Sequence, residues 1–426
     1  MPGKNSSLFI KINPTNKKCK FRKINKTHLT YPILHDTSDD ENSNDSYKTL
    51  IESIKSKIQE TFPNTNGIIY TQEKIEINFD CFTAQEIISS ILPNDLEPIS
   101  GFATIGHICH INLPTKPEEV YEKYKKYENI LGEILLKKLG PKIRTVLTKT
   151  CKIESKFRTL PIKLIAGEDN YICRHLEHGC VFEMDFSKVY WNSRLQEEHK
   201  DVVDFIIKEY GNSTNSSNII SKPDFSVIDT CCGIGPFAIP LAKKLSSKQF
   251  KNFEYIFAND LNPDSMKYFI ENIKINKLTH LANSSLFHSE ADKPMDGVDF
   301  FADSIKTGKL SDQILIVLMN LPRFSVSLLM PKMVKCLNKC TSEHLPKKVL
   351  IIAHHMSGKD ETSEQDVQKV LPVGFKLQKI WQVRKLIGEN YLRILVQVDI
   401  GVLLGESELT EVCGPEIKKL KKSSNS

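Results

Sequence analysis

The sequence predicts an α/β protein: a doubly wound parallel sheet in the C-terminal half, preceded by two smaller α+β domains. Three observations predict it. Four short continuous apolar runs, Val227-Ile-Asp, Tyr255-Ile-Phe-Ala, Ile314-Leu-Ile-Val-Leu-Met and Val349-Leu-Ile-Ile-Ala, read as strands buried on both faces. Segments of helical periodicity follow them or lie between them, at 238–245, 264–276, 326–340 and 364–369, and that alternation is the signature of a parallel sheet with helices on its faces. The 426-residue length leaves room for two or three cores at roughly 100–200 residues per domain.

The elements divide the chain at 1–95, 96–186, 187–405 and 406–426. In the first part, Lys48 to Ile58 carries apolar residues at helical spacing; Ile68-Ile-Tyr, Ile75–Phe79 and the 84–92 stretch follow. The acidic-polar run 36–45 reads as a surface loop, and Pro93 and Pro98 punctuate the boundary. The second part holds one long charged helix from Pro117 to Leu139, stopped at Gly140-Pro141. Strand-like runs separated by Gly167, Asp169-Asn170 and Gly179 come next. A polar insertion, Gly211 to Asn218, precedes the sheet.

Composition narrows the classes. Apolar residues are 40% and charged residues 26% of the chain, as in an ordinary soluble domain. No run approaches the ~20 apolar residues of a membrane-spanning helix, so no membrane partner is expected. Ser6-Ser7 is followed by only Leu-Phe-Ile before Lys11, too short for a signal peptide. Eleven irregularly spaced cysteines read as reduced thiols of an intracellular protein. The net charge is +6, and its distribution says more than its sum. The first 35 residues hold Lys4, Lys11, Lys17, Lys18, Lys20, Arg22, Lys23 and Lys26 without an acid. Residues 116–152 hold ten Lys or Arg against five Glu, and Lys418, Lys419, Lys421 and Lys422 close the chain. Such patches suit a phosphate backbone, although solvated lysine-rich faces would look the same. The basic N-terminus also has the charge of a mitochondrial transit peptide, with one Arg where such peptides are Arg-rich. The expected location is the cytoplasm or nucleus, with the mitochondrial matrix left open.

The chemistry gathers at the strand ends. Asp229-Thr-Cys-Cys-Gly-Ile-Gly-Pro-Phe follows the first strand and opens a helix. Gly233 and Gly235 let the backbone turn tightly and approach a ligand. Ala238 stands where a dinucleotide motif needs its third Gly, and Pro236 offers no N–H to a pyrophosphate. The second strand ends at Asp260, where such folds place an acid for the two ribose hydroxyls. A nucleoside without phosphates fits this set, and S-adenosylmethionine is one. Another strand ends in Met319-Asn-Leu-Pro322. There the amide of Asn320 can bond in the plane of a base, and Pro322 fixes the turn. Cys173-Arg-His-Leu-Glu-His-Gly-Cys180 and His354-His355 lack standard ligand spacing, so no metal is expected.

These residues, with Phe186-Ser-Lys-Val-Tyr-Trp-Asn-Ser-Arg-Leu-Gln-Glu-Glu-His199, Gly106-His-Ile-Cys-His-Ile-Asn-Leu, Phe157-Arg158, Ile165-Ala-Gly, Asn259-Asp-Leu-Asn-Pro263 and Met295-Asp-Gly297, resemble the archaeal and eukaryotic tRNA guanine-37 N1-methyltransferases from about Ile99 to Val398. The resemblance implies a class I, Rossmann-like S-adenosylmethionine methyltransferase sheet. Its substrate would be tRNA beside the anticodon, where the methyl group supports reading-frame maintenance, and the enzyme would act as a monomer. It implies that Glu198 removes the guanine N1 proton, that Arg158 steadies charge on O6, and that Tyr190 stacks on the extruded base. Asn320 joins the catalytic set, with Pro322 on the substrate side. His199, Asp229, Gly233, Gly235, Asp260, Leu261, Asp296, Gly297 and Asn320 would bind the cofactor. The chemistry agrees, because guanine N1 is a poor nucleophile until its proton leaves, and a guanidinium fork suits delocalised charge on O6.

The chain departs from the family pattern at Pro114 and in 383–391. It also departs at Ala353-His-His-Met-Ser, where a cysteine-aromatic stretch is usual. The nearest alternative is the wybutosine-pathway enzyme, which moves an aminocarboxypropyl group from the same cofactor. A small-molecule methyltransferase and a catalytically dead RNA-binding protein are more distant ones.

Overall fold

In the computed structural model the described residues are 22–25, 28–30, 52, 56, 79–99, 101–114, 117–149, 157, 159–211, 223–245, 252–282, 287–288, 294–311, 313–337, 339, 344–361, 363–386 and 388–400. Arg158, the runs 36–45 and 68–77, the insertion after Gly211 and the C-terminal lysines lie outside them. The chain divides into two units, 1–77 and 78–426. In the first, β1 (Arg22–Asn25) and β2 (His28–Thr30) form an antiparallel hairpin, and Glu52 and Ser56, inside the expected 48–58 helix, are helical.

The second unit begins with α1 (Ala84–Ile91), opened by a capping box: Thr83 Oγ1 accepts from the Glu86 N–H and Glu86 Oε2 accepts from the Thr83 N–H. Ile88 and Leu92 join the core of the sheet that follows, so the break between units lies before this helix rather than at residue 95. That sheet is β3 (Phe102–Ile105), β4 (Ile108–Ile111), β5 (Thr145–Lys149) and β6 (Ile162–Gly167), in that spatial order. The expected 117–139 helix is two helices, α2 (Glu118–Lys125) and α3 (Glu128–Leu139). At the junction the Lys126 and Tyr127 N–H groups reach back three residues, to Lys123 and Tyr124 carbonyls, the tighter 3₁₀ pattern. Lys and Tyr give no sequence signal for it. A hairpin follows, β7 (Ile172–Glu177) and β8 (Cys180–Asp185). Its two-residue turn has φ of 43° at His178 and 79° at Gly179, the positive pair a tight hairpin turn requires.

The C-terminal elements are α4 (Gln196–Tyr210), β9 (Phe225–Asp229), α5 (Ala238–Leu245), β10 (Phe253–Ala258), α6 (Pro263–Ile275), α7 (Thr279–Ala282) and β11 (Phe287–His288), then α8 (Gly297–Lys306), β12 (Ile314–Met319), α9 (Met330–Leu337), β13 (Lys348–Gly358), α10 (Glu364–Val370), β14 (Phe375–Lys385) and β15 (Glu389–Val398). The expected 326–340 helix starts later, at Met330, after a wider π turn over Ser325–Leu329.

The seven strands lie in the order β11-β10-β9-β12-β13-β15-β14, and β15 runs antiparallel to both neighbours. Alternate residues feed two cores. Val227, Ile256, Ile316 and Leu350 meet Val202 and Ile206 of α4, Leu241 of α5 and Phe269 of α6. Ile228, Leu315, Val317 and Ile351 meet Phe301 of α8 and Met330 and Met333 of α9. The chain order reverses between β9 and β12, and a sheet of this kind binds ligands outside its strand carboxyl ends at that point.

Candidate active site

The crevice at that switch point is lined by eight of the expected residues: Tyr190, His199, Gly233, Asp260, Leu261, Asp296, Gly297 and Asn320. Each is placed by a local rule. Gly233 has φ 54° and open space where a Cβ would stand, and its N–H donates to Asp260 Oδ2 at 2.9 Å. The Asn262 N–H holds the other oxygen, Oδ1, at 2.9 Å. Burial raises the pKa of Asp260, and those two N–H bonds pull part of the shift back. Asn262 caps α6 through the Asp264 N–H, and its Nδ2 donates to the Lys188 carbonyl at 2.8 Å. That bond ties the segment carrying Tyr190 to the mouth of the Asp260 turn. Asp296 caps α8 by accepting from the Val298 N–H, and a Cβ on Gly297 would stand 2.5 Å from the Thr230 carbonyl oxygen. Only glycine lets these two loops meet.

His199 is buried, with Nδ1 2.6 Å from Glu177 Oε1 on β7 and its ring packed edge-on against Phe237. Asn320 follows β12. Its backbone N–H donates to Cys231 Sγ at 3.1 Å, and the Tyr391 hydroxyl donates to its Oδ1 at 3.1 Å.

The other expected residues lie elsewhere. Gly235, φ 96°, is buried under Ile239 and Phe269 and shapes the turn without lining the crevice. Pro322 stands outside the lining and fixes its loop to β13, its carbonyl accepting from the Met356 N–H at 3.0 Å. Asp229 is fully buried behind Thr230 and Cys231, which line the crevice. Neither of its carboxylate oxygens makes a hydrogen bond of normal geometry among the described residues, although the Cys231 N–H lies near enough to lower its pKa somewhat. Burial wins and pushes that pKa up to about 8.

Glu198 is also buried and does not line the crevice. Its Oε1 lies 2.8 Å from His354 Nε2, and Arg393 Nη1 reaches both carboxylate oxygens at 3.2 Å. The sequence reading expected this carboxylate beside the guanine; the structure holds it one residue away from the lining, through His199. Sequence reasoning weighed His354 only as a metal ligand and a departure from the family pattern, and gave no role to Tyr391 or Arg393, because strands far apart in the chain bring the three together. It also gave no role to the lining residues Phe157 and Trp191, although both lie within motifs already singled out.

The donor set fits S-adenosylmethionine. Asp260 retains lone pairs toward the crevice for two vicinal hydroxyls, and the open space at Gly233 admits a close ligand. Asp229, behind the crevice lining and without a hydrogen-bonded partner among the described residues, would ionise more readily beside a ligand that carries positive charge. Among the described residues no group of His, Cys, Asp and Glu is arranged to hold a metal ion, and no helix is long and apolar enough to cross a membrane.

Comparison with known proteins agrees. Residues 173–291 match the TRM5/TYW2 methyltransferase domain and 84–170 the TYW2 N-terminal domain. A tRNA (guanine(37)-N(1))-methyltransferase of Phytophthora infestans is 32% identical over 329 residues, 75% of this chain and 70% of that protein. The chain belongs to the tRNA (guanine(37)-N(1))-methyltransferase family. The Saccharomyces cerevisiae member is 35% identical over 68% of this chain and 50% of its own length. The Xenopus tropicalis member is 30% identical over 75% and 59%, so the chain spans half to three-fifths of these two relatives. The fold is that of aTrm5 in its complex with tRNALeu, with a TM-score of 0.55 at 19% identity over 90% of this chain and 92% of that one. The family is S-adenosylmethionine-dependent, which agrees with the donor set.

Proposed function

We propose that this chain transfers a methyl group from S-adenosylmethionine to N1 of guanine 37 in tRNA. The observation that carries the reading is the juxtaposition of Asn320, its amide oxygen anchored by Tyr391, with the Asp260 turn in one crevice, in a chain whose curated relatives carry that activity. The cofactor supplies an electrophilic methyl group on a sulfonium. The chain's own residues bind, orient and deprotonate. Asp260 accepts the ribose hydroxyls, and the buried Asp229 offsets positive charge. Tyr190 and Phe157, at the crevice wall, offer aromatic faces to an extruded base, as enzymes acting on stacked bases require. Asn320 bonds to the base edge. Glu198 takes the N1 proton and must give up one of its present partners to reach it. Arg158, next to Phe157 in the chain, supplies donors to O6. Holding methyl donor and ring nitrogen in line can lower the barrier by roughly 7–11 kcal/mol.

The domain description joins two enzymes under one name, so the test separates them. Label from methyl-labelled S-adenosylmethionine is followed into an unmodified tRNA transcript with G at position 37, beside the same tRNA with A there. Label recovered as 1-methylguanosine from the G transcript alone is the expected result. Cofactor binding by calorimetry without methyl transfer would move the reading to the aminocarboxypropyl enzyme.

A further inference from the structure

We propose that Tyr391 and Arg393, two residues apart on β15, are positioning residues for the methyl transfer, setting the amide of Asn320 and the carboxylate of Glu198 from one strand. This rests on the function proposed above. The sequence motif left unexplained there, Ala353-His-His, explains the construction. His354 on β13 and Trp381 on β14 lie directly opposite Arg393 in the two strand registers. The guanidinium sits over the Trp381 ring, 4.4 Å from its centre, while Nη1 meets both Glu198 oxygens at 3.2 Å. His354 bonds the same carboxylate and stacks on Tyr391, with ring centres 5.2 Å apart and planes 6° from parallel. Tyr391 in turn holds Asn320 Oδ1 at 3.1 Å.

Residues i and i+2 of a strand share a face, so β15 turns both side chains toward the site. Met319, the end of β12, is level with Ala353, while Tyr391 pairs with Met356 further along β13; Tyr391 therefore stands beyond the end of β12, and its hydroxyl reaches Asn320 there. The arrangement has a chemical use. Glu198 is buried, and Arg393 sets an opposite charge against both of its oxygens and fixes their direction. An amide free to rotate about its last torsion would present O and NH₂ to the base in turn; Tyr391 holds one orientation. His354 bridges the two, since burial lowers its pKa and keeps the ring neutral and able to donate from Nε2.

The test uses the full chain with an unmodified G37 transcript under steady-state conditions, with cofactor affinity measured separately by calorimetry. Tyr391→Phe keeps the ring and its stacking on His354; it should lower kcat about tenfold while the KM for tRNA and the Kd for S-adenosylmethionine stay within threefold. In an Asn320→Ala background the same change should cost less than twofold more, because the two act as one unit. Arg393→Met should lower kcat about a hundredfold, and Arg393→Lys, which restores the charge without the fork, should recover at least tenfold of that.

A kcat for Tyr391→Phe and Arg393→Met within twofold of the wild type overturns the inference. So does a loss of cofactor affinity in step with kcat, which would make the strand a packing element only. If Arg393→Met does not fold, Tyr391→Phe and its double-mutant pair still decide the matter. A wild-type chain that transfers no methyl group to G37 would overturn the proposed function, and this inference with it.

Discussion

Asp229 stands in an environment far from that of a free carboxyl. Its carboxyl has a pKa of about 8 in the folded chain against 3.8 for the free group. Between those values the folded protein holds a proton that the unfolded chain has lost, so the stability of the ligand-free protein falls as pH rises from about 4 to 8. The thermal midpoint should decrease from pH 6 to 8.5, and Asp229→Asn should flatten that slope. A cationic ligand favours the ionised form, so S-adenosylmethionine should bind more tightly as pH rises through this window, with proton release seen as a dependence of binding heat on the buffer's ionisation enthalpy. An equal slope in Asp229→Asn would assign the effect to other groups. A second comparison separates binding from chemistry. Asp260→Ala removes an acceptor of charged hydrogen bonds worth about 1.5–3 kcal/mol, so cofactor affinity should fall ten- to a hundredfold. Glu198→Ala should leave cofactor affinity within threefold and remove most methyl transfer. Identical failure of both at cofactor binding would refute the division of roles. At this scale the sequence was legible where a motif is contiguous: Gly233, Asp260, Asp296 and Gly297 all stand in one crevice. It was not legible for Arg393, because nothing in Leu392-Arg-Ile announces a buried guanidinium opposite Trp381.

Elements meet through few but specific bonds. Helix α6 and its C-cap grip the edge of β8 with two asparagines one turn apart: Asn272 exchanges bonds with the N–H and carbonyl of Glu183, and the C-cap Asn276 with those of Val181. Side-chain amides thus do for this edge what a neighbouring strand would do, and they satisfy backbone groups that burial would otherwise leave unpaired. Asn272→Leu should therefore destabilise the chain by about 2–4 kcal/mol, because two buried backbone groups lose partners, measured as a fall in the urea midpoint. A change below 0.5 kcal/mol would mean that water replaces the amide. Gly297→Ala acts differently. The new Cβ meets the Thr230 carbonyl oxygen at 2.5 Å, so α8 must shift away from the β9 loop. Cofactor affinity should then fall by more than tenfold with a small loss of stability, seen by calorimetry beside a thermal melt. Elements with strong local codes were readable: four of the five parallel strands by their apolar runs, and α6 by its helical periodicity over 264–276. The split between α2 and α3 and the π turn before α9 were not, since both are changes of hydrogen-bond register within good helix-forming sequence.

At the scale of the whole molecule, charge and fold divide the work. The crevice at the switch point is too small to recognise a tRNA, so binding to so large an anion has to come from surfaces around it. The sequence places acid-free positive charge in the first 35 residues and a second excess over 116–152, while α2 and α3, within the latter, flank the four-stranded sheet rather than the crevice. Phosphate contacts release counterions, and the logarithm of affinity then falls linearly with the logarithm of salt, at about 0.9 per phosphate neutralised on a duplex and 0.7 on a single strand. Replacing Lys17, Lys18, Lys20 and Lys23 with alanine should accordingly shallow the salt slope for tRNA by roughly three and weaken binding at 0.1 M salt, with S-adenosylmethionine affinity unchanged. The same substitutions should raise the KM for the transcript and leave kcat at saturating tRNA within twofold, because none of these residues is assigned a part in the chemistry. An unchanged slope would make the basic N-terminus a solvated face. Nucleic-acid binding would then fall to 116–152, where substituting Lys137, Lys138 and Lys142 should produce the missing change.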